Sequence, residues 1–189
     1  MKKILSIIIL GLIITSKGMA YEEVNYKVVK KNEIYEIRKY SDRLAIETEI
    51  SNQGNSFRKL FNYISGDNEN KEEISMTTPV TQMEKKGNMT MQFYLPSRFN
   101  KKNIPSPSNP DVKILNIKGG YYAVIKYSGR TSDKNFIKHK SILENELKKD
   151  DILILSAPIK ATYDGPFTLP MRRRNEVMFE INVKTKGEI

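Results

Sequence analysis

Residues 163–177 read YDGPFTLPMRRRNEV and carry the most informative fold signal of the chain. Asp164 and Gly165, followed by Pro166, predict that the chain turns here, and Pro170 excludes a regular helix. The segment is therefore predicted to be an ordered loop that leads into a strand. Strict alternation is typical of a half-buried strand. In the predicted strand after the loop, the apolar face would carry Val177, Phe179, Ile181 and Val183. The other face would carry Met178, Glu180, Asn182 and Lys184.

Upstream of this stretch, the first half of the chain predicts strands on either side of a short helix. Residues 35–50 are predicted to be extended, with a period-two alternation at residues 44–50, and residues 51–56 have the composition of a turn. A helix follows, with apolar side chains at the i, i+3, i+4 and i+7 positions and an end near Gly66. Those apolar positions are Phe57, Leu60, Phe61 and Ile64. Residues 71–83 predict a loop and a strand, and residues 89–95 a further strand.

The second half predicts a similar series of elements. Gly119 and Gly120 separate two extended stretches, which is a hairpin signal. Ser132 is placed to cap a second helix. The inward positions of that helix would be Phe136, Leu143 and Leu147. The strands of this half are predicted at residues 112–117, 121–127 and 152–162.

A shift of 79 residues superimposes the two halves without a gap. It places Ile46 on Ile125, Phe57 on Phe136, Ile64 on Leu143, Pro79 on Pro158 and Val80 on Ile159. We therefore predict an α+β fold in which a duplicated strand-helix-strand-strand unit, at about residues 34–97 and 111–184, forms a distorted antiparallel β-barrel or curved sheet with two helices. Each proline inside a strand would lie at an edge or a bulge. A concave site between the repeats is the expected ligand site.

The first twenty residues have the features of a secretory signal peptide. Lys2 and Lys3 precede an apolar run at residues 4–14, and Gly18 and Ala20 are small residues suited to cleavage after Ala20. The alternative is an uncleaved anchor, but the run is shorter than the roughly 20 residues that a membrane span needs. We predict a periplasmic or secreted single domain, residues 21–189, with no stable membrane insertion after cleavage.

Composition limits the classes of function. The chain has no cysteine, which excludes disulfides, thiolate ligands and covalently attached c-type haem. Its formal charge is +10, of which Lys2, Lys3 and Lys17 would leave with the leader, so that +7 remains. Such a charge attracts propionates, phosphates and lipid head groups, although scattered lysines are also typical of an ordinary solvated surface. The sequence lacks the pattern of basic residues interleaved with aromatics that is typical of a nucleic-acid-binding groove. Nucleic acid is therefore not predicted as a partner.

Catalysis has little support from spacing. His139 is the only histidine, and no Gly-x-Ser-x-Gly turn or Gly-rich phosphate loop is present. His139 lies at the edge of the apolar stripe of the second helix, which favours a structural role. Asn175 and Glu176 either satisfy loop backbone groups, or Glu176 lies buried at the centre of the sheet.

Residues 163–177, together with MTTPV at residues 76–80 and FYLPS at residues 93–97, resemble the SOUL or haem-binding protein family. The resemblance covers about residues 35–181. It implies a fold similar to bacterial multidrug effector-binding domains and non-covalent binding of haem in an apolar groove, without a dedicated axial ligand and with basic side chains near the propionates. The candidate contacts are Phe57, Arg58, Leu60, Phe61, Met76, Arg172 and Arg173.

The leading hypothesis is an exported, monomeric, non-catalytic binder of haem or a related tetrapyrrole that serves as carrier, buffer or scavenger. The alternative is a small-molecule hydrolase or effector-binding protein. In a hydrolase, Glu176 or Tyr163 would act as acid or base, which requires a buried carboxylate in an open pocket. A third hypothesis, an interaction module, predicts an exposed apolar patch on the second helix.

Overall fold

The computed structural model describes residues 21–51 and 54–183, so the predicted signal peptide and Lys184 lie outside the described residues. Within those ranges the chain forms twelve strands and two α-helices. In chain order they are β1 (Glu22–Glu23), β2 (Tyr26–Lys31), β3 (Glu36–Tyr40), β4 (Arg43–Glu49), α1 (Ser56–Ile64), β5 (Thr77–Thr78), β6 (Val80–Lys85), β7 (Asn88–Tyr94), β8 (Lys113–Ile117), β9 (Gly120–Tyr127), α2 (Asp133–Lys149), β10 (Leu153–Ile154), β11 (Ile159–Thr162) and β12 (Asn175–Asn182).

Ten of these strands form one strongly curled antiparallel sheet, a half-barrel. The strand order is β2-β3-β9-β12-β11-β6-β7-β4-β8, and β10 pairs with β12 beside this path. The remaining strands, β1 and β5, pair in parallel. Two helices on a curved antiparallel sheet confirm the predicted α+β class.

The two sides of the sheet have corresponding strand orders when they are followed outward from the central pair, β11 and β6. On one side β12 and β9 follow β11, and on the other β7 and β4 follow β6. In chain order α1 lies between β4 and β6, and α2 between β9 and β11. This order is compatible with the two repeats, whereas the duplication itself stays a prediction.

Each helix buries an apolar face against its own part of the sheet. Leu60 and Tyr63 of α1 pack with Phe93, and Leu143 and Leu147 of α2 pack in a second cluster on β9 and β12. The Ser132 side chain accepts a hydrogen bond from the backbone N–H of Asn135, which confirms the predicted cap of α2. In the described part of the chain, no helix combines the length and the apolar character needed to span a bilayer.

The predicted hairpin at Gly119 and Gly120 is wrong. Strand β8 pairs with β4, whereas β9 lies between β3 and β12. The chain at Gly119 instead crosses the bend between β3 and β4, where the Asp42 carboxylate accepts a hydrogen bond from the Gly119 N–H at 2.8 Å. A Cβ atom on Gly119 would lie 2.6 Å from the carbonyl oxygen of Tyr40. Glycine is therefore needed here for close backbone approach and not for a turn.

Replacing Gly119 by Ala is expected to lower the free energy of unfolding by roughly 1–3 kcal/mol, because two backbone segments must separate to admit the methyl group. Urea unfolding measures this loss. Gly165→Ala is the matched control, since no atom lies within 4 Å of its added Cβ. An equal effect of the two substitutions would contradict the close approach.

The final strand is buried on both faces over much of its length, so the prediction of a half-buried strand is also wrong there. Val177 faces α2 and its cluster, but Met178 is likewise buried. The reason is a third apolar cluster on the opposite face, where Met178 packs with Tyr40 and Tyr122. Elsewhere, the predicted strand at residues 152–162 is divided into β10 and β11, and Pro158 lies in the gap between them.

Candidate functional site

A cleft of about 910 Å³ opens where the two halves of the sheet meet. Strands β6 and β11 contribute cross-strand pairs to it: Lys160 stands opposite Gln82, and Thr162 stands opposite Val80. Side chains directly opposite each other lie on the same face of a sheet, so these four line the cleft together. The cleft has the size of typical small-molecule sites, roughly 300–1,000 Å³.

Helix α1 contributes an aromatic surface to this cleft. Phe57 and Phe61 are one helical turn apart, and their rings stack with centroids 6.0 Å apart and an interplanar angle of 15°. Phe57 also packs edge-on against Phe93 of the core at 5.1 Å. About half of each of the two side chains is exposed, 48% for Phe57 and 47% for Phe61. Together they present exposed aromatic surface to the cleft, which a planar conjugated ligand can cover.

Two cations line the cleft. The Lys160 ammonium lies 3.0 Å from the Asp133 carboxylate. The Arg173 guanidinium donates to the carbonyl oxygens of Thr168 at 2.8 Å and Pro166 at 2.5 Å. Arg173 therefore both holds the loop between β11 and β12 and places a positive charge beside the cleft. Positive charge here favours an anionic group on a bound molecule.

The structure brings together four of the seven candidate contacts. Phe57, Phe61, Met76 and Arg173 line the cleft. Arg58 and Arg172 are exposed on its outside, and the Arg58 guanidinium donates to the side chain of Asn55. Contact of these residues with a ligand stays a prediction.

Leu60 lies in a different environment from the other apolar candidates. It is fully buried between α1 and the sheet, with 0% exposure. Successive helical residues are about 100° apart, so Leu60 faces the core while its neighbour Phe61 faces the cleft. No surface of Leu60 is left for a ligand, and its role is packing.

Sequence reasoning missed most of the cleft-lining side chains on the two central strands. Lys160, Thr162 and Gln82 come together only because β6 pairs with β11. Both strands are short, and nothing in their composition indicates which strand lies beside which. Val80 could have been predicted as a candidate from the sequence, because it belongs to the MTTPV motif and to the internal match between the two halves.

A buried ionic network lies at the base of the loop. Glu176 is fully buried, as one of the two expectations for this residue required. Its carboxylate accepts from the Arg38 guanidinium at 2.9 and 3.0 Å, from Arg174 at 2.9 Å and from the Tyr163 hydroxyl at 2.8 Å. Asn175 serves the other expected purpose, because its side chain donates to the carbonyl oxygen of Gly129 at 3.1 Å.

The network changes the ionisation of its members. Burial by itself would lower the pKa of Arg38, but the hydrogen bonds and negative charge of Glu176 outweigh it and raise that pKa. Burial, and next the charge of Glu176, raises the pKa of Tyr163 far above its ordinary value. Tyr163 therefore keeps its proton and donates it in the hydrogen bond to Glu176.

This arrangement opposes the use of Glu176 or Tyr163 in acid–base catalysis. Glu176 is not among the cleft-lining residues, and both of its oxygens accept hydrogen bonds. Tyr163 is among the residues that line the cleft, but its side chain packs against the cluster of Tyr40 and Met178, and its hydroxyl is engaged by Glu176. A general base needs both access to the substrate and a pKa near the working pH.

His139 lies outside the cleft. Its ring stacks on Tyr127 with centroids 4.1 Å apart and an angle of 8°. Its Nδ1 lies 2.8 Å from the carbonyl oxygen of Asn135, which can only accept, so Nδ1 carries a proton. These contacts agree with a structural role. Within residues 21–51 and 54–183, no group of three or more His, Asp or Glu side chains is placed to hold a metal ion.

Comparison with known proteins identifies the family and the fold. The family model described as SOUL heme-binding protein matches residues 21–180. A comparison with curated proteins found no match. Among solved structures the chain is similar to the C-terminal domain of EcmrR, with a TM-score of 0.59 and 12% identity over 83% of this chain and 98% of that one.

Two proteins from Listeria innocua are also similar. An uncharacterized conserved protein gives a TM-score of 0.57 at 9% identity, over 80% of this chain and 94% of that chain. A hydrolase gives a TM-score of 0.54 at 8% identity, over 82% of this chain and 94% of that chain. At these identities the similarity shows a shared fold alone.

Proposed function

Because the chain belongs to the SOUL heme-binding protein family, we propose that it binds haem or a related tetrapyrrole, non-covalently, in the cleft between α1 and the loop of residues 163–174. The protein acts as a carrier, buffer or scavenger and catalyses no reaction. The observation that supports this proposal is the pair of half-exposed, stacked phenylalanines beside a cleft with cations in its lining.

The chemistry of the cleft fits a tetrapyrrole. A large flat ring gains affinity by covering the exposed faces of Phe57 and Phe61 and the apolar side chain of Met76. Lys160 and Arg173 provide positive charge for the two propionates. Haem would supply the protein with a redox-active iron and a strong visible absorption. The single histidine is absent from the cleft lining, so binding does not use a histidine ligand there.

Export to the periplasm or the medium is part of this proposal. The support is the charged start, short apolar run and small residues of the predicted leader, which lies outside the described residues. The protein is proposed to act as a monomer. The hydrolase alternative requires a buried carboxylate open to the cleft, and the enclosed, fully paired Glu176 does not meet that requirement.

Titration with haemin tests the proposal. Protein beginning at Tyr21 should shift the Soret band of haemin at concentrations where an unrelated protein of similar positive charge does not. Equal affinity for the two proteins would remove the proposed function.

His139→Ala should retain haemin affinity within roughly threefold, because the loss of a ring outside the cleft removes no ligand contact. The same titration measures this, with the helical content from circular dichroism as a check that α2 is intact. Removal of a good ligand contact weakens binding by about tenfold or more. A loss of that size would contradict the structural role of His139.

A further inference from the structure

The loop between β11 and β12 exposes three large apolar side chains at alternate positions. Phe167 is 99% exposed, Leu169 56% and Met171 76%. Single exposed apolar residues are common on protein surfaces and need no explanation. Three within five residues, one of them almost wholly exposed, form a concentrated apolar tip.

Hydrogen bonds hold this tip in place. Arg173 donates to the carbonyl oxygens of Thr168 and Pro166, and the Thr168 N–H donates to the Gly165 carbonyl oxygen at 3.2 Å. The Gly129 N–H donates to the Pro170 carbonyl oxygen at 2.8 Å and ties the loop to the turn before α2. The backbone is thus fixed in a form that keeps Phe167 in solvent, against the tendency of an aromatic side chain to be buried.

Positive charge borders the tip. Arg172 follows Met171 directly, and Arg130 follows Gly129, the residue bonded to Pro170. Both arginines are exposed, and neither forms an ion pair within the described ranges. The neighbouring carboxylates are engaged elsewhere, Asp133 by Lys160 and Asp164 by the backbone N–H of Arg174.

We propose that this tip, formed by Phe167, Leu169 and Met171 with Arg130 and Arg172, docks the protein on the surface of an anionic lipid bilayer. Apolar side chains would enter the boundary between head groups and acyl chains, while the guanidinium groups bind lipid phosphates. Exposed apolar side chains beside arginines that form no ion pair within the described ranges match an anionic bilayer, which offers acyl chains and negatively charged phosphates side by side. Docking would also bring the cleft close to the lipid, because Gly165 and Pro166 line it.

Vesicle flotation without haem tests this proposal independently of tetrapyrrole binding. The protein begins at Tyr21, because the described fold and its three core clusters lie from that residue onward and the apolar run at residues 4–14 would bind lipid by itself. Vesicles contain phosphatidylcholine alone or mixed with phosphatidylglycerol. We expect binding to the mixed vesicles only. Phe167→Ser/Met171→Ser and, separately, Arg130→Gln/Arg172→Gln should each weaken it by roughly tenfold or more.

Ile137→Ser is the matched control, because Ile137 is 56% exposed on α2, outside the tip, and its loss should leave vesicle binding unchanged. Failure of the unmodified protein to bind mixed vesicles, equal binding to neutral vesicles, or full binding by the Phe167→Ser/Met171→Ser variant would each overturn the proposal. Loss of haemin affinity in that variant with unchanged vesicle binding would also overturn it, since the tip would then cover the ligand.

Discussion

Replacing Phe57 and Phe61 together by Ser is expected to weaken haemin binding by about a hundredfold, which corresponds to roughly 2.7 kcal/mol. Each ring exposes about half of its surface in the free protein. Covering about 50 Å² of apolar surface on each ring, at about 25 cal/mol per Å², contributes on the order of 1.3 kcal/mol per residue. The stacked pair should therefore carry a large part of the affinity, and Soret titration measures the loss.

The design of this experiment separates ligand contact from folding. Phe57 also packs on Phe93, so thermal unfolding must show that the double variant is folded at the titration temperature. Ile137→Ser provides a substitution of a comparably exposed apolar residue on the other helix. An unchanged affinity of the folded double variant would place the tetrapyrrole outside this cleft.

Replacing Glu176 by Ala is expected to lower the free energy of unfolding by about 3–5 kcal/mol, a large fraction of the roughly 5–15 kcal/mol that stabilises a typical domain. The substitution leaves the fully buried Arg38 without its bidentate partner and the Tyr163 hydroxyl without its acceptor. Arg38 keeps its contact with the Glu36 carboxylate at 2.9 Å, but it loses the two charge-assisted hydrogen bonds to the carboxylate that is itself fully buried. A buried charge that loses most of its compensation keeps the cost of leaving water. Urea unfolding measures the loss.

An ion pair on the surface provides the comparison. Glu144→Gln removes the carboxylate that pairs with Lys140 at 3.4 Å on the exposed part of α2. That substitution should cost no more than about 0.5 kcal/mol, because solvent screens the pair. Similar losses for the two variants would show that burial adds nothing to the contribution of Glu176.

Local sequence patterns predicted the helices and strands correctly wherever the side chains of one element are sufficient to specify it. The spacing of Leu143 and Leu147 and the capping position of Ser132 predicted α2, and alternation predicted most of the strands. The cleft-lining Phe57 and Phe61 were found because a helix repeats every 3.6 residues, but Leu60 was included with them. Sequence spacing shows that a face is apolar and does not show which edge of it remains open.

The α+β class, the positions of both helices and the family could be predicted from the sequence, because helical periodicity, alternation and short motifs are local properties. The pairing of the strands, which brings Lys160 and Gln82 into one cleft, became visible only in the folded chain. The structure likewise showed that Gly119 permits the close approach of two backbone segments. It also showed that Met178 is buried on the face of β12 that was expected to be polar. Strand pairing joins residues far apart in the chain through backbone hydrogen bonds that every residue type except proline can make, so composition leaves it open.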